Sequence, residues 1–363
     1  MTKVVAASEM DTGISFGQAV TLCLHAPADD PIILVGPPGV GKSHVPQAVA
    51  LALKASYWPL YLGVLEAVEI NGLPHLYEKD GRKYGAWGPF SGLLPLQGEG
   101  REGHIVINPD DIGQASPSVA KAAIRSFYGD GLRRMVGAHE LYHDVRIIGT
   151  SNLHTHRAGA HRFETWVTGR CNIVRVVADP LEWVQWAVGA GVHPSLTSWV
   201  QFTKQVTDFA PDRDQFMSPR SLTKLSGYLY NLEKDGTNGA VMRACVYGKI
   251  GETAGSAFEA WYKFREELPD MDAILEGRKV KLPTKPEVQY MFVTTLLQAA
   301  KEEHVPIVGR LISDLTEAGA TGFEVAAFLT YECLKGAGGE KLRGIRTQSS
   351  LYKWLSEYGK YLP

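Results

Sequence analysis

Pro31-Ile32-Ile33-Leu34-Val35, then Gly36-Pro37-Pro38-Gly39-Val40-Gly41-Lys42-Ser43, then His44-Val45-Pro46-Gln47-Ala48-Val49-Ala50-Leu51-Ala52-Leu53, is the stretch on which the fold turns. The middle segment fits G-x-x-x-x-G-K-[ST], and its context matters as much as its letters. A short apolar run precedes it and a stretch with helical composition follows, which is the strand–loop–helix order that a phosphate-cradling loop requires. Glycines let the backbone wrap an anion with its N–H groups pointing inward. The helix behind the loop presents its positive end to the same charge. In that reading Gly36, Pro37, Pro38, Gly39, Val40, Gly41, Lys42 and Ser43 form the cradle. Lys42 reaches the β- and γ-phosphates of a bound nucleotide, and Ser43 ligates Mg²⁺.

Working outward, residues 1–180 alternate apolar runs with helix-like stretches. The strand candidates are Ile32–Val35, Tyr57–Leu62, Ile105–Ile107, Val145–Thr150 and Ile173–Val177. This rhythm predicts an α/β domain with a parallel sheet between helices. Past Asp179-Pro180 the apolar spacing becomes helical, over Leu181–Val188, Leu196–Val206, Pro219–Leu232 and Ala240–Leu268. A loop is expected at 269–286, where Pro269, Gly277, Pro283 and Pro286 break the pattern. Residues 287–363 read as helices interrupted at Gly336–Gly339. The expected domains are a nucleotide-binding core at 1–180, a helical lid at 181–268 and a helical extension at 269–363. A nucleotide hydrolase also needs an acidic strand end to hold the Mg²⁺ shell. His104-Ile-Val-Ile-Asn-Pro-Asp-Asp111 supplies Asp110 and Asp111. Proline removes a ladder donor, so Asn108-Pro109 is expected to end or bend that strand.

Taken in order, GPPGVGKS (36–43), DDIGQASPSVAKAAIRSFY (110–128), VRIIGTSN (145–152) and MSPRSL (217–222) resemble the MoxR-type branch of AAA+ ATPases, its stand-alone bacterial and phage-type members in particular. The resemblance covers about residues 15–270. It implies a P-loop AAA+ αβα core with a helical lid, a Walker A motif at Gly36–Ser43 and a Walker B pair at Asp110–Asp111. It implies a sensor-1 residue at Asn152 and a sensor-2 arginine at Arg220. Gly169-Arg170-Cys171 stands where the family carries its arginine-finger triplet, so Arg170 is the match, with Arg157 and Arg162 close by as alternatives. Asp111 stands where the family usually has glutamate, one methylene longer, and the acid pair follows Asn-Pro instead of apolar strand residues. Both departures bear on hydrolysis more than on nucleotide binding. The resemblance further implies a ring oligomer, a hexamer, with ATP between subunits.

Two hairpins are readable. HLYEKDGRKYGAW (75–87) has the turn dipeptide Asp80-Gly81 between Leu76, Tyr77, Tyr84 and Trp87, with Lys79, Arg82 and Lys83 at its tip. It resembles the helix-2 insert of that branch. LRRMVGAHELYHDVRII (132–148), with Arg133 and Arg134, resembles the pre-sensor-1 insert. In a ring, Lys79, Arg82, Lys83, Arg133 and Arg134 would form a basic collar suited to a nucleic-acid backbone or an acidic polypeptide. His139-Glu140-Leu141-Tyr142-His143 matches H-E-x-x-H by letter. That motif binds zinc on a helix, and here it sits between Gly137 and the strand Val145–Thr150, so a surface histidine cluster is expected, even with His154, His156 and His161 nearby. The basic stretch Arg278, Lys279, Lys281, Lys285 reads as an exposed loop.

Composition bounds these readings. The 363 residues are 45% hydrophobic and 21% charged, which is globular and excludes collagen-like or disordered chains. Lys plus Arg is 37 against 39 Asp plus Glu, so a basic stripe for nucleic acid would have to be local. Cys23, Cys171, Cys245 and Cys333 are dispersed without C-x-x-C spacing, as in a reducing compartment. No apolar run reaches the ~20 residues that span a bilayer, and the first residues lack the apolar core of a signal peptide. A cytoplasmic protein with no membrane partner is expected. Three functional readings follow: a Mg-dependent ATP-hydrolysing ring that remodels or translocates a macromolecular client; a DNA-binding motor or loader; and a nucleotide-gated scaffold with little turnover.

Overall fold

The computed structural model describes residues 13–90, 92–100, 102–127, 134–136, 139–153, 163, 169–236, 239–335 and 342–362. The chain divides into two compact units, Met1–Ala178 with Ala210–Asp212, and Asp179–Phe209 with Arg213–Pro363. The fold class is the expected one, an α/β core built on a parallel sheet, and a helical C-terminal part.

In the first unit the sheet strands are β1 (Ile32–Val35), β2 (Ser56–Tyr61), β5 (Ile105–Asp110), β8 (Val145–Ser151) and β9 (Asn172–Arg175). They lie in the order β2-β5-β8-β1-β9, every pair parallel. Parallel strands covered on both faces read as continuous apolar runs, and β1 is buried at all four positions. Alternate residues feed two cores. Ile33, Val35, Ile107 and Ile147 face Val119 and Phe127 of α4 (Pro117–Phe127). Ile32, Leu34, Val106 and Ile148 pack with Ala19 and Cys23 of α1 (Phe16–His25) and Val45 and Val49 of α2 (His44–Leu53).

Strand β5 does not end at Ile107 as the Asn-Pro step suggested. It runs to Asp110, paired with β2 at Pro109 opposite Leu60. Its register with β8 stops at Ile107, so the proline falls where only one neighbour is in register and its missing N–H is tolerated. A short helix, α3 (Ala67–Asn71), leads into the antiparallel hairpin β3 (Leu73–Lys79) and β4 (Arg82–Gly88). Its turn places Asp80 at φ 53° and Gly81 at φ 71°, the left-handed pair that a two-residue hairpin turn requires. Every residue of β3 is exposed. Of the second hairpin, only part falls among the described residues. Strand β6 (Met135–Val136) pairs with β7 (His139–Glu140) over two residues each, and Arg133 lies outside the described residues.

The second unit is helical: α5 (Pro180–Gly189), α6 (Pro194–Thr203), α7 (Pro219–Lys234), α8 (Gly239–Tyr262), α9 (Met271–Leu275), α10 (Pro286–Ala299), α11 (Val305–Thr316), α12 (Ala320–Leu334) and α13 (Ser349–Tyr358). Helix α9 lies inside the segment expected to be loop. Asp270 caps it through the Ala273 N–H. Helices α5, α6, α7 and α10 open on proline, whose missing N–H costs nothing in a first turn. α8 is two helices joined at Gly251, where φ is 79° and an added Cβ would lie 2.7 Å from the Gln215 carbonyl oxygen. α10 runs through the interior, with Val288–Thr294 all buried. Thr294 Oγ1 donates to the Pro194 carbonyl, 3.3 Å away, at the start of α6. Helices 180–203 and 286–334 therefore share one core.

Glu332 on α12 is fully buried, and neither carboxylate oxygen has a hydrogen-bond partner. Burial pushes its pKa from 4.5 up to about 7. A folded-state pKa above the unfolded one means the protonated carboxyl is favoured by folding. That contribution is complete below about pH 4.5 and is lost as pH rises through about 7, roughly 3 kcal/mol in all. Urea unfolding between pH 4.5 and 7.5 should show this decline in the wild type, and Glu332→Gln should flatten it. Equal slopes in the two proteins would contradict the assignment.

Candidate nucleotide-binding site

The phosphate loop leaves β1 at Gly36 and turns into α2 at Ser43. Gly36 is dictated by packing, since a Cβ there would lie 2.3 Å from the Val176 carbonyl oxygen. Gly39 and Gly41 have φ of 82° and 99°, left-handed values that side chains rarely adopt. Helix α2 has no acidic residue in its first turn, and the Ser43 side chain does not cap it. Its N-terminal end thus keeps the positive field of the helix dipole.

The Ser43 hydroxyl donates instead to Asp110 Oδ1 at 3.1 Å. That oxygen also accepts from Thr150 Oγ1 and, at 3.2 Å, from the Asp111 N–H. Among the described residues Asp110 Oδ2 has no hydrogen-bond partner. The donor set suits a hard divalent cation such as Mg²⁺: one hydroxyl and one carboxylate oxygen side by side, at the mouth of a phosphate loop.

Lys42 is buried, as are Asp110 and Asn152. Its ammonium donates to the carbonyl oxygens of Gly36 (2.9 Å) and Pro37 (2.7 Å) and to Asn152 Oδ1 (3.0 Å). Gly36–Ser43, Asp110, Asp111 and Asn152, separated by more than a hundred residues of sequence, thus meet at the C-terminal edge of three neighbouring strands. Asp111 adopts φ 55°, a conformation aspartate tolerates better than most residues. It breaks β5 so that the chain turns directly after Asp110.

Sequence reading missed Thr150 and Ser151. Thr150 fixes the Asp110 carboxylate, and Ser151 Oγ accepts from the Gly113 N–H at 3.1 Å, tying the turn after the acid pair to β8. The available signal was a run of polar residues ending an otherwise apolar strand, Thr150-Ser151-Asn152. Asn108, two residues before Asp110, is also buried and donates to the Tyr57 hydroxyl at 2.9 Å.

Other candidates lie elsewhere. Arg170 is exposed in the turn before β9, which makes it part of the opposite end of the sheet from Gly36, since β9 is parallel to β1 and Asn172 is level with Ile32. Arg220 is exposed in the first turn of α7, in the second unit. Arg157 and Arg162 lie outside the described residues. Lys79, Arg82 and Lys83 are exposed at the β3–β4 tip, and the rings of Tyr77 and Tyr84 stack beside them, 5.5 Å between centroids. Arg134 is an anchor, not a tip: its guanidinium donates to the carbonyl oxygens of Val145 (3.0 Å) and Ala28 (3.1 Å).

The H-E-x-x-H segment is not helical. His139 in β7 contacts the Trp87 carbonyl and His143 contacts Gln97. Among the described residues no group of three His, Cys, Asp or Glu is placed to hold a metal ion; His154, His156 and His161 lie outside them. Among the described residues no helix is long and apolar enough to cross a membrane. Burial pushes the thiols of Cys23, Cys171 and Cys333 up to about 12, so they are protonated and unreactive at neutral pH.

No family model matches the chain, and no curated protein matches it. Among solved structures the chain is similar to a mutant form of RuvB from Thermotoga maritima, at 14% identity over 81% of this chain and 87% of that one, with a TM-score of 0.36. The phosphate loop and the sheet order, not that similarity, carry the fold assignment.

Proposed function

We propose that the chain is a Mg-dependent AAA+ ATPase of the MoxR type that works as a ring oligomer, a hexamer, and uses ATP hydrolysis to remodel or translocate a macromolecule. The observation that carries this reading is the convergence of Lys42, Ser43, Asp110 and Asn152 on one edge of the sheet. The loop N–H groups and Lys42 hold the β- and γ-phosphates. Ser43 and Asp110 would hold Mg²⁺, which when bound neutralises phosphate charge. Asn152, already bonded to Lys42, orients the attacking water. The Asp111 carboxylate takes its proton. Arg220 from the lid and Arg170 from a neighbouring subunit neutralise charge that develops on the transferred phosphoryl group.

A second reading, a motor on DNA, is favoured by the β3–β4 tip. Lys79 and Arg82 are cross-strand partners on the same face as Tyr77 and Tyr84. Cations beside stacking rings are the chemistry of a nucleic-acid strand. ATP turnover measured with and without DNA across a salt series tests both. Turnover stimulated by DNA, with binding that weakens steeply as salt rises, identifies the DNA motor. Turnover indifferent to DNA identifies a protein client. Tight ATP binding without turnover defeats both and leaves the nucleotide-gated scaffold, for which the shorter Asp111 in place of glutamate would be the cause.

A further inference from the structure

A cavity of about 700 Å³ opens in the helical unit between the end of α7, both arms of the kinked α8 and the turn that follows it. Its floor is apolar, formed by Leu232, Met242, Val246 and Phe258. Its rim carries five charged side chains, and their hydrogen bonds are unevenly spent. Each carboxylate already accepts three hydrogen bonds. Glu233 accepts from His193 Nε2 (3.1 Å), from the Tyr262 hydroxyl and from Arg265 (2.6 Å). Glu259 accepts from the Nε and a terminal nitrogen of Arg243 and from the Tyr247 hydroxyl at 3.1 Å. Burial alone would raise the Glu233 carboxyl, yet the donors around it hold it down at about 2, so it stays an anion already spoken for.

The cations keep unused capacity. Arg243 has engaged one edge of its guanidinium. Arg265 donates through one nitrogen only, and its plane rests on the Tyr262 ring, 4.2 Å to the centroid. The exposed Lys263 ammonium makes no hydrogen bond among the described residues. A guanidinium carries five donors and an ammonium three, so several remain uncommitted at the rim of a cavity whose two carboxylates are already paired. Gly239, which opens α8, also lines it and adds first-turn N–H groups of that helix. The opposing carbonyl end of α7 is partly quenched, since Glu233 and Asn231 accept from the N–H groups of Gly236 and Asp235.

We propose that this cavity binds a small organic anion with an apolar body, its head group meeting Lys263, Arg243 and Arg265 and its body lying on Met242, Val246 and Phe258. Glu233 stands near the C-terminal end of α7 and Arg220 in its first turn, so roughly 20 Å of helix separates this cavity from Arg220. The proposal is independent of the nucleotide reading.

The test is a fluorescence titration of the full-length protein with anilinonaphthalene sulfonate, an aromatic body bearing one anionic group. Wild type should show saturable binding. Lys263→Glu should weaken it about ten-fold or more by reversing one head-group charge. Met242→Trp should weaken it comparably by filling the floor. Lys263 is exposed and Met242 half-buried, so urea unfolding midpoints should stay at the wild-type value in both. Absence of saturable binding to wild type, or unchanged affinity in either folded variant, overturns the proposal.

Discussion

Lys42→Ala is expected to weaken ATP binding by about two to four orders of magnitude. Charge-assisted hydrogen bonds contribute about 1.5–3 kcal/mol each, and when ATP binds the ammonium can turn the donors it now gives to the Gly36 and Pro37 carbonyls toward phosphate oxygens. The same side chain holds the loop itself, through the carbonyl oxygens of Gly36 and Pro37, and holds Asn152 in position. Truncation to alanine therefore removes both the ligand contact and part of the preorganisation, and leaves Asn152 Oδ1 without its donor in a buried site. Lys42→Arg separates the two effects. It restores charge, but a planar fork cannot reproduce three bonds from one ammonium, so it should recover binding only in part. Isothermal titration with ATP and Mg²⁺ reads both variants. Wild-type affinity in Lys42→Ala would remove the phosphate loop from the site.

How much of this was readable from the letters depends on the range of the interaction. The phosphate loop was legible because its constraints are local: glycines at positive φ, a strand before and a helix after. The acid pair was legible for the same reason, at the end of an apolar run. The length of β5 was misjudged because the penalty of Pro109 depends on which neighbour is in register, and register is a tertiary fact. Thr150 was overlooked because nothing local distinguishes a threonine that holds a carboxylate 40 residues away from one that fills a strand. Arg134 was read as a basic tip because a positive charge in a hairpin looks solvated until its carbonyl partners at Ala28 and Val145 are seen. The cavity of the helical unit left no trace in sequence, since its cations and carboxylates come from α7, the two arms of α8 and the turn beyond.

Arg170→Ala is expected to lower ATP turnover about 10³-fold or more while leaving ATP affinity within a few-fold of wild type, the effect of removing a finger that acts only on the transition state. To serve as the proposed finger, Arg170 would have to act on a neighbouring copy, because of where the sheet places it. Asn172 is level with Ile32 across the parallel β1–β9 pair, and the phosphate loop begins at Gly36, four residues further along β1. That is roughly 13 Å of strand rise, with Arg170 a further two residues behind. Arg170 therefore sits at the opposite end of the sheet from its own phosphate loop, whereas a neighbouring copy could set its Gly36–Ser43 edge against it. Mixing the two inactive proteins distinguishes this geometry from a same-chain role. In a mixed assembly, a subunit carrying Arg170→Ala still has Lys42 and binds ATP, and an adjacent subunit carrying Lys42→Ala still has Arg170. Their shared interface has both groups. Turnover should therefore reappear on mixing, rising with the proportion of mixed interfaces to a fraction of the wild-type rate. A mixture that assembles yet stays inactive would overturn the assignment of Arg170 as a finger supplied in trans, as would wild-type turnover in Arg170→Ala alone.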